Sequence, residues 1–306
     1  MNVLLTIFHA ATVLVAPIFV MGIINRVKSL WSGRRGPRLN QTWFDILRLL
    51  RKTPVYSQVT SWIFPLAPIV LLSATLVASL FVPFVPGFTP MSFNGDFIAF
   101  LYILGLGKVF MMLAALDTGS PFEGMGASRE ATYSALVEPV FMLALVAVAI
   151  ASSSISFANF IVPAGDFSTA LILKLAFTGS MFVVLLVEAA RVPADDPTTH
   201  LELTMVHEVM ILDNSGPELA MVQYAAAIKT TIIAGIMASI LNPFSTEFLP
   251  LAAMLFTALT IAAIAAAIGL IESLIARLRF RALPLFIFAA FMAVMLSVIV
   301  VSANQG

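Results

Sequence analysis

Residues 249 to 302 read LPLAAMLFTALTIAAIAAAIGLIESLIARLRFRALPLFIFAAFMAVMLSVIVVS, and this stretch decides the fold. It holds two apolar runs, 249 to 275 and 283 to 302, joined by a short segment with Arg277, Arg279 and Arg281; Glu272 is the one charge inside either run. A bilayer core takes about twenty consecutive apolar residues per helix, and both runs reach that length without a polar face. Six further runs of this kind lie upstream, at 3 to 25, 62 to 85, 97 to 116, 135 to 160, 168 to 190 and 219 to 241. Alternating β patterns are lacking, so an outer-membrane barrel is excluded. The expected fold is an all-α integral membrane protein, a bundle of about eight transmembrane helices forming one domain over residues 1–306.

Composition agrees. Of 306 residues 60% are hydrophobic and 10% charged, with a mean hydropathy of +1.04, whereas soluble domains carry about a quarter charged residues. Sixteen Lys plus Arg balance sixteen Asp plus Glu, so no net charge points to nucleic acid. Cysteine is absent, which excludes disulfides, thiolate-bound zinc and cysteine-held iron–sulfur or nickel centres in this chain. The sequence predicts no cofactor or metal here, and places any electron carrier on partner subunits. The first run is followed rather than preceded by basic residues and lacks a small-residue cleavage site, so it reads as a retained helix.

Cytoplasmic loops carry the Lys and Arg excess. Loop 1–2 holds Arg26, Lys28, Arg34, Arg35, Arg38, Arg48, Arg51 and Lys52; Arg129, Arg191, Arg277, Arg279 and Arg281 lie in the other loops of that side, giving thirteen in all. The outer loops contain only Asp96, Asp166 and Glu247. Both termini are therefore expected on the outer side of an inner (cytoplasmic) membrane.

Within the basic loop, residues 26–61, Trp43, Ile46, Leu47 and Leu50 recur at helical spacing with Arg48, Arg51 and Lys52 opposite. This predicts a helix lying in the membrane interface, whereas a purely solvated basic loop would leave the apolar stripe unexplained. Arg34, Arg35 and Arg38, around Gly36-Pro37, are candidates for docking a peripheral subunit.

Charges inside spans are the sharpest functional signal, since each costs about 2.5 to 3.5 kcal/mol at a helix centre unless it meets a partner or water. Six remain: Lys108, Glu138, Lys174, Glu188, Lys229 and Glu272. Carboxylates and lysines buried together can exchange protons near neutrality, so the set reads as a polar axis for proton movement. The alternative is a set of ion pairs gluing helices, or lysines snorkelling outward.

Two acidic cytoplasmic loops are expected, at 117–134 and 189–218. In the first, Glu130, Ser134 and Glu138 share a helical face at i, i+4, i+8. The second carries Asp195, Asp196, Glu202, Glu208, Asp213 and Glu218, a pattern suited to a proton entry funnel or a docked partner. His200 and His207 are too few ligands for zinc. Irregularly spaced Gly119, Gly124 and Gly126 follow no strand, so a nucleotide loop is excluded.

Arg-Arg-Gly-Pro at 34 to 37, LDTGSPF at 116 to 122 with GASRE at 126 to 130, and the series Glu188, Arg191, Pro193, Asp195, Pro197 give the chain a resemblance. It resembles the membrane subunit of group 4 energy-converting hydrogenases, the hydrogenase-4 component C and formate hydrogenlyase membrane subunit family, which is related to subunit 1 of complex I. The likeness runs over the whole chain.

The resemblance implies an ion-translocating, proton-coupling anchor that is itself non-catalytic. A cytoplasmic arm of iron–sulfur and hydrogenase-like large subunits, with a nickel–iron or related centre, would dock on it, and antiporter-like membrane subunits would lie alongside. Carried over, Arg34 and Arg35 fit the arm-docking loop, Glu130 and Glu138 the helix carboxylates, and Glu188, Arg191 and Asp195 the funnel beside the terminal cluster. With the charges read from the sequence itself, the expected arm-docking set is Arg34, Arg35, Arg38, Arg191, Asp196 and Glu202, and the expected proton pathway is Glu130, Glu138, Glu188, Asp195, Glu272, Lys108, Lys174 and Lys229. Where quinone-reducing relatives have two further acids after the Pro matching Pro197, this chain has Thr198 and His200, which favours the hydrogenase branch. A quinone-site subunit of a complex I-type oxidoreductase is the alternative reading, and an independent secondary transporter a second; the latter lacks the expected inverted repeat.

Overall fold

The computed structural model describes residues 2–161, 167–195, 205–244 and 249–305, and all regular structure among them is helical apart from one isolated bridge between Val85 and Phe88. In chain order the α-helices are α1 (Asn2–Leu14), α2 (Ala16–Trp31), α3 (Gln41–Leu50), α4 (Ile63–Ser79), α5 (Asp96–Asp117), α6 (Pro121–Ser152), α7 (Phe167–Glu188), α8 (His207–Met210), α9 (Gly216–Leu241), α10 (Pro250–Leu274) and α11 (Leu283–Gln305). Six of them are long and apolar enough to cross a bilayer, and α1 with α2 forms a seventh, broken span bent by 47°. The protein is a multi-pass membrane protein.

All eight apolar runs hold a helix, with four departures from the expected spans; one is that the fourth run, expected to reach 160, leaves the α-helix at Ser152, where Ser153 takes a left-handed conformation at φ 51°. The first run is broken at Val15, where Pro17 in the first turn of α2 lacks an amide hydrogen; Tyr224 donates its hydroxyl to the Leu14 carbonyl at 2.7 Å. The second run, expected to extend to 85, stops as a helix at Ser79, because Pro83 and Pro86 cannot continue it. Its 17 residues span about 26 Å, and the depth is completed by buried, non-helical Phe81, Val82, Phe84 and Val85. The fourth helix begins at Pro121, well before 135, so most of the loop expected over 117–134 is helix. At 32 residues α6 is about 48 Å long, more than the hydrocarbon core requires, and its first turns extend beyond it.

The sequence signal for that early start is Ser120-Pro121-Phe122-Glu123, a capping-box spacing with proline at the first helical position. The box itself does not form. Glu123 is buried and its Oε1 accepts the Asp213 amide at 3.0 Å, tying α6 to the segment before α9.

Helix α9 is central: 78% of its apolar window is buried, against 28% for α5 and α11. It contacts α1, α2, α3, α4, α7 and α10. Small residues permit the closest approaches. A Cβ at Gly269 would lie 2.7 Å from the Ile24 carbonyl oxygen, so α10 and α2 meet backbone to backbone there. The basic loop contains the helix α3, which packs on α2 and α9 through buried Ile46 and leaves Trp43, Phe44 and Leu50 exposed. The amphipathic pattern thus serves two surfaces, one in the protein and one facing outward.

Candidate functional site

Charged side chains from four spans converge between α5, α6, α7 and α9. Lys108 Nζ donates to Glu188 Oε1 at 2.7 Å and lies 3.6 Å from Glu138 Oε1, while Lys229 Nζ donates to Glu188 Oε2 at 3.3 Å. Glu188 and the two lysines are largely buried, whereas the Glu138 side chain is 56% exposed. The sequence accounts for this locally: each charge interrupts an otherwise apolar helix, and the desolvation cost is met only if the charged faces turn toward one another.

Glu130, two turns before Glu138 on α6, lines two small cavities. One, about 20 Å³, is bounded by Lys108, His207 and Lys229 among others; the second, about 10 Å³, by Tyr133, Ser134, Glu188 and Asp195. Each is near the size that admits one water molecule; the smaller has a largely polar wall, and the larger is mostly apolar with Lys108, Glu130, His207 and Lys229 set into it. The inner cluster sets Glu130, Glu138 and Glu188 against Lys108 and Lys229, three carboxylates against two ammonium groups. The two ammonium groups balance two of the three carboxylates, and the half-exposed Glu138 is the one that solvent can reach.

Asp195 sits across the second cavity. Its Oδ1 is 3.0 Å from Arg277 Nη2, and Oδ2 accepts the backbone amides of Val206 at 3.0 Å and His207 at 3.1 Å. Arg129 donates to the Met205 carbonyl at 2.8 Å, and both Arg129 and Arg277 lie over the Phe280 ring, at 5.0 and 5.1 Å. Burial holds the His207 imidazole well below its ordinary range, to about 4, with Lys229 adding to the effect and Asp195 opposing it. At neutral pH His207 is therefore an uncharged donor and acceptor beside the lysines.

A third group lies between α2, α10 and the turn after α7. The Glu272 carboxylate is fully buried; Arg191 Nη1 donates to Oε1 at 3.3 Å and Lys28 Nζ lies 3.4 Å from Oε2. Arg191 also reaches Met21 Sδ at 2.9 Å. Arg26, one turn before the end of α2, donates to the carbonyls of Gly36 and Pro37 at 3.3 and 3.4 Å, folding the basic loop back onto α2.

The structure thus brings together Lys108, Glu130, Glu138, Glu188 and Lys229, with Asp195 next to them, and places Glu272 in a separate triad. Lys174 stands four turns from Glu188 on α7 and has no ion pair among the described residues. Among the docking candidates, Arg34, Arg35 and Arg38 are exposed, whereas Arg191 is turned inward to Glu272; Asp196 and Glu202, like His200, lie outside the described residues. Sequence reasoning missed Lys28 and Arg277, which it counted only toward topology. Both end apolar runs, where a basic residue reads equally well as a snorkelling flank, so spacing alone carried no signal for their partners. No group of three or more His, Asp or Glu that could hold a metal ion occurs among the described residues.

The chain belongs to the NADH dehydrogenase family, matching it over residues 3–303. It is 30% identical over 275 residues to hydrogenase-4 component C of Escherichia coli (strain K12), covering 87% of this chain and 85% of that protein. To formate hydrogenlyase subunit 4 of the same organism it is 28% identical over 298 residues, 95% of this chain and 96% of the relative. An NADH-quinone oxidoreductase subunit of Rubrobacter xylanophilus is 26% identical over 211 residues, 68% of this chain and 63% of that protein. Among solved structures, a chain of the membrane-bound sulfane sulfur reductase (MBS), an archaeal respiratory membrane complex, shares the fold with a TM-score of 0.79 at 18% identity, covering 97% of this chain and 99% of that one.

Proposed function

We propose that this protein is the membrane-anchor and coupling subunit of a multisubunit respiratory complex of the hydrogenase type, and that protons move through its buried charge network. The observation that carries the reading is Glu188, whose carboxylate is shared between Lys108 and Lys229 from two other helices and which borders a polar cavity leading to Asp195. A charge change near Asp195 alters the electrostatic balance at Glu188, and the cluster answers by changing proton occupancy or partner. In this reading the exposed Arg34, Arg35 and Arg38 receive a cytoplasmic arm of iron–sulfur and hydrogenase-like large subunits. Antiporter-like subunits lie in the membrane beside the exposed Glu138. The electron carriers sit on those partners, the long loops face the cytoplasm of an inner membrane, and the chain itself performs no redox chemistry.

The quinone-site reading draws support from the Rubrobacter relative, named as part of an NADH-quinone oxidoreductase. The greater coverage of the two Escherichia coli relatives favours the hydrogenase-type assembly.

Affinity purification of the full chain from its native membrane tests both. Recovery with a cysteine-rich nickel–iron-type large subunit is the expected result, and a Glu188→Gln complex should then retain electron transfer but lose linked ion movement. Recovery alone, with solute transport in liposomes, would overturn the proposal in favour of a transporter; a stoichiometric bound quinone would favour the alternative.

A further inference from the structure

The backbone of residues 205 to 207 is pinned between α6 and the turn that joins α10 to α11. Arg129 on α6 donates to the Met205 carbonyl, and Asp195 accepts the Val206 and His207 amides while its other oxygen pairs with Arg277 of the turn. The Leu278 amide donates to the Pro193 carbonyl at 3.0 Å, so the same turn also holds the chain just before Asp195. A Cβ at Gly126 would lie 3.1 Å from the Val206 carbonyl oxygen, so the pinned segment lies directly on α6. Contacts on three successive residues thus fix the backbone that carries the His207 side chain.

His207 lines the larger of the two water-sized cavities, whose other charged walls are Lys108, Glu130 and Lys229. These groups differ in what they can do with a proton. Lys108 and Lys229, paired with Glu188, have protons to give but no lone pair, and the Glu130 carboxylate has lone pairs but no proton. The Thr75 hydroxyl, also on the wall, is committed to the Leu72 carbonyl at 2.9 Å. A neutral imidazole carries both a lone pair and an N–H, and among the described residues none closes a hydrogen bond to the His207 ring. Lys108 on α5 and Lys229 on α9 disfavour its charged form, while Glu130 on α6, Glu188 on α7 and Asp195 favour it; burial decides for the neutral ring. Such a ring can accept a proton at one nitrogen as it releases the proton of the other, with no lasting charge.

We infer that His207 is a proton-transfer residue of the buried network, and that Arg277 is its positioning residue, acting through Asp195. The inference rests on the coupling role proposed above and names the group that delivers protons to it. In the step, a proton from water forms an N–H bond at one ring nitrogen as the N–H bond at the other breaks, and the released proton, relayed by a water molecule in the cavity, forms an O–H bond on Glu130. Glu130 gains one proton, the imidazole ends in its other tautomer, and exchange with water restores the first.

Two measurements test it. The chain has three histidines, His9, His200 and His207, so imidazole NMR on the full chain in liposomes can follow His207, its signal assigned with His207→Gln. The wild-type ring should stay largely neutral down to pH 5, and Arg277→Met should move its titration up toward the ordinary 6.5, whereas Arg277→Lys, which keeps a cation beside Asp195, should restore the wild-type curve. A wild-type ring that titrates near 6.5, or a curve unchanged in Arg277→Met, would overturn the placement. In the native complex reconstituted in liposomes with a pH-sensitive dye, His207→Ala should lower the protons moved per electron about a hundredfold, as expected for a positioned acid–base group. Added imidazole should restore the movement in part and with saturation, which the loss of a merely structural residue would not show. Unchanged proton movement in His207→Ala, or a loss that imidazole does not relieve, would overturn the inference and leave the coupling role standing. A wild-type complex that carries electrons without moving protons would overturn both. Should His207→Ala fail to assemble, His207→Gln takes its place, and full proton movement in that variant would equally overturn the inference.

Discussion

The Glu188 carboxylate is divided between two lysines, Oε1 at 2.7 Å from Lys108 on α5 and Oε2 at 3.3 Å from Lys229 on α9, so that one acid at the end of α7 joins three helices. Both contacts are largely buried, and each lysine depends on the same acid for its charge balance.

Lys108→Met and Lys229→Met should each destabilise the protein by about 3 to 5 kcal/mol, the cost of removing one partner from a buried ion pair. Glu138→Gln should cost under about 1 kcal/mol, because its side chain is half exposed and its contact is 3.6 Å. Thermal unfolding of the detergent-solubilised variants checks the order. Equal effects would show that the lysines do not share Glu188 as described.

Glu272 offers a matched comparison, with Arg191 14% exposed and Lys28 27% exposed on the same carboxylate. Arg191→Met should therefore destabilise several times more than Lys28→Met, and Arg191→Lys should not restore the loss, since one ammonium cannot reach both Glu272 and Met21. Melting temperatures of the three variants provide the measurement.

His207 gives a pH dependence of definite sign. Its folded-state value of about 4 lies below the ordinary 6.5, so the unfolded chain binds the proton first as pH falls. The stability associated with the neutral imidazole is fully present above pH 6.5 and is lost on the way down to about pH 4. A His207→Gln variant should show a smaller fall in melting temperature between pH 7 and pH 5 than the wild type. An identical fall would place the acid sensitivity elsewhere.

Asp195 holds Val206 and His207 through their backbone amides and Arg277 by an ion pair. Asp195→Ala should loosen residues 205–211, raising their amide hydrogen exchange, and cost about 2 to 4 kcal/mol, whereas Asp195→Asn, which retains an acceptor, should protect those amides in part.

Backbone contact between α2 and α10 predicts a contrast between two glycines. Gly269→Ala drives a methyl group against the Ile24 carbonyl and should cost about 1 to 3 kcal/mol, while Gly105→Ala, with open space around it, should be neutral or stabilising. Unfolding measurements on the pair separate tight packing from helix propensity.

Much of the architecture was legible without coordinates. Apolar runs of bilayer length located every long helix, and the stripe at Trp43, Ile46, Leu47 and Leu50 located α3. Boundaries were harder. The break at Val15 and the stop at Ser79 depend on proline, whose effect in a membrane helix varies with whether neighbours satisfy the freed carbonyls, as Tyr224 does for Leu14. The early start of α6 was obscured by Gly124 and Gly126, which weaken a helical pattern although Ser120-Pro121-Phe122-Glu123 marks its beginning.

Composition, periodicity and the placement of charges were sufficient by themselves for the class of this protein, because hydrocarbon imposes one length and one backbone solution on any segment that crosses it. They also singled out Lys108, Glu138, Lys174, Glu188, Lys229 and Glu272, since a charge in such a segment is costly without a partner or water; Lys174 has no ion pair among the described residues. Which partner the others found was settled only by folding. Lys108 and Glu188 are 80 positions apart, Lys229 and Glu188 41, and Arg191 and Glu272 81. Pairing over such separations depends on how helices rotate and cross, and that is determined by close approaches such as Gly269 on Ile24 rather than by any local pattern.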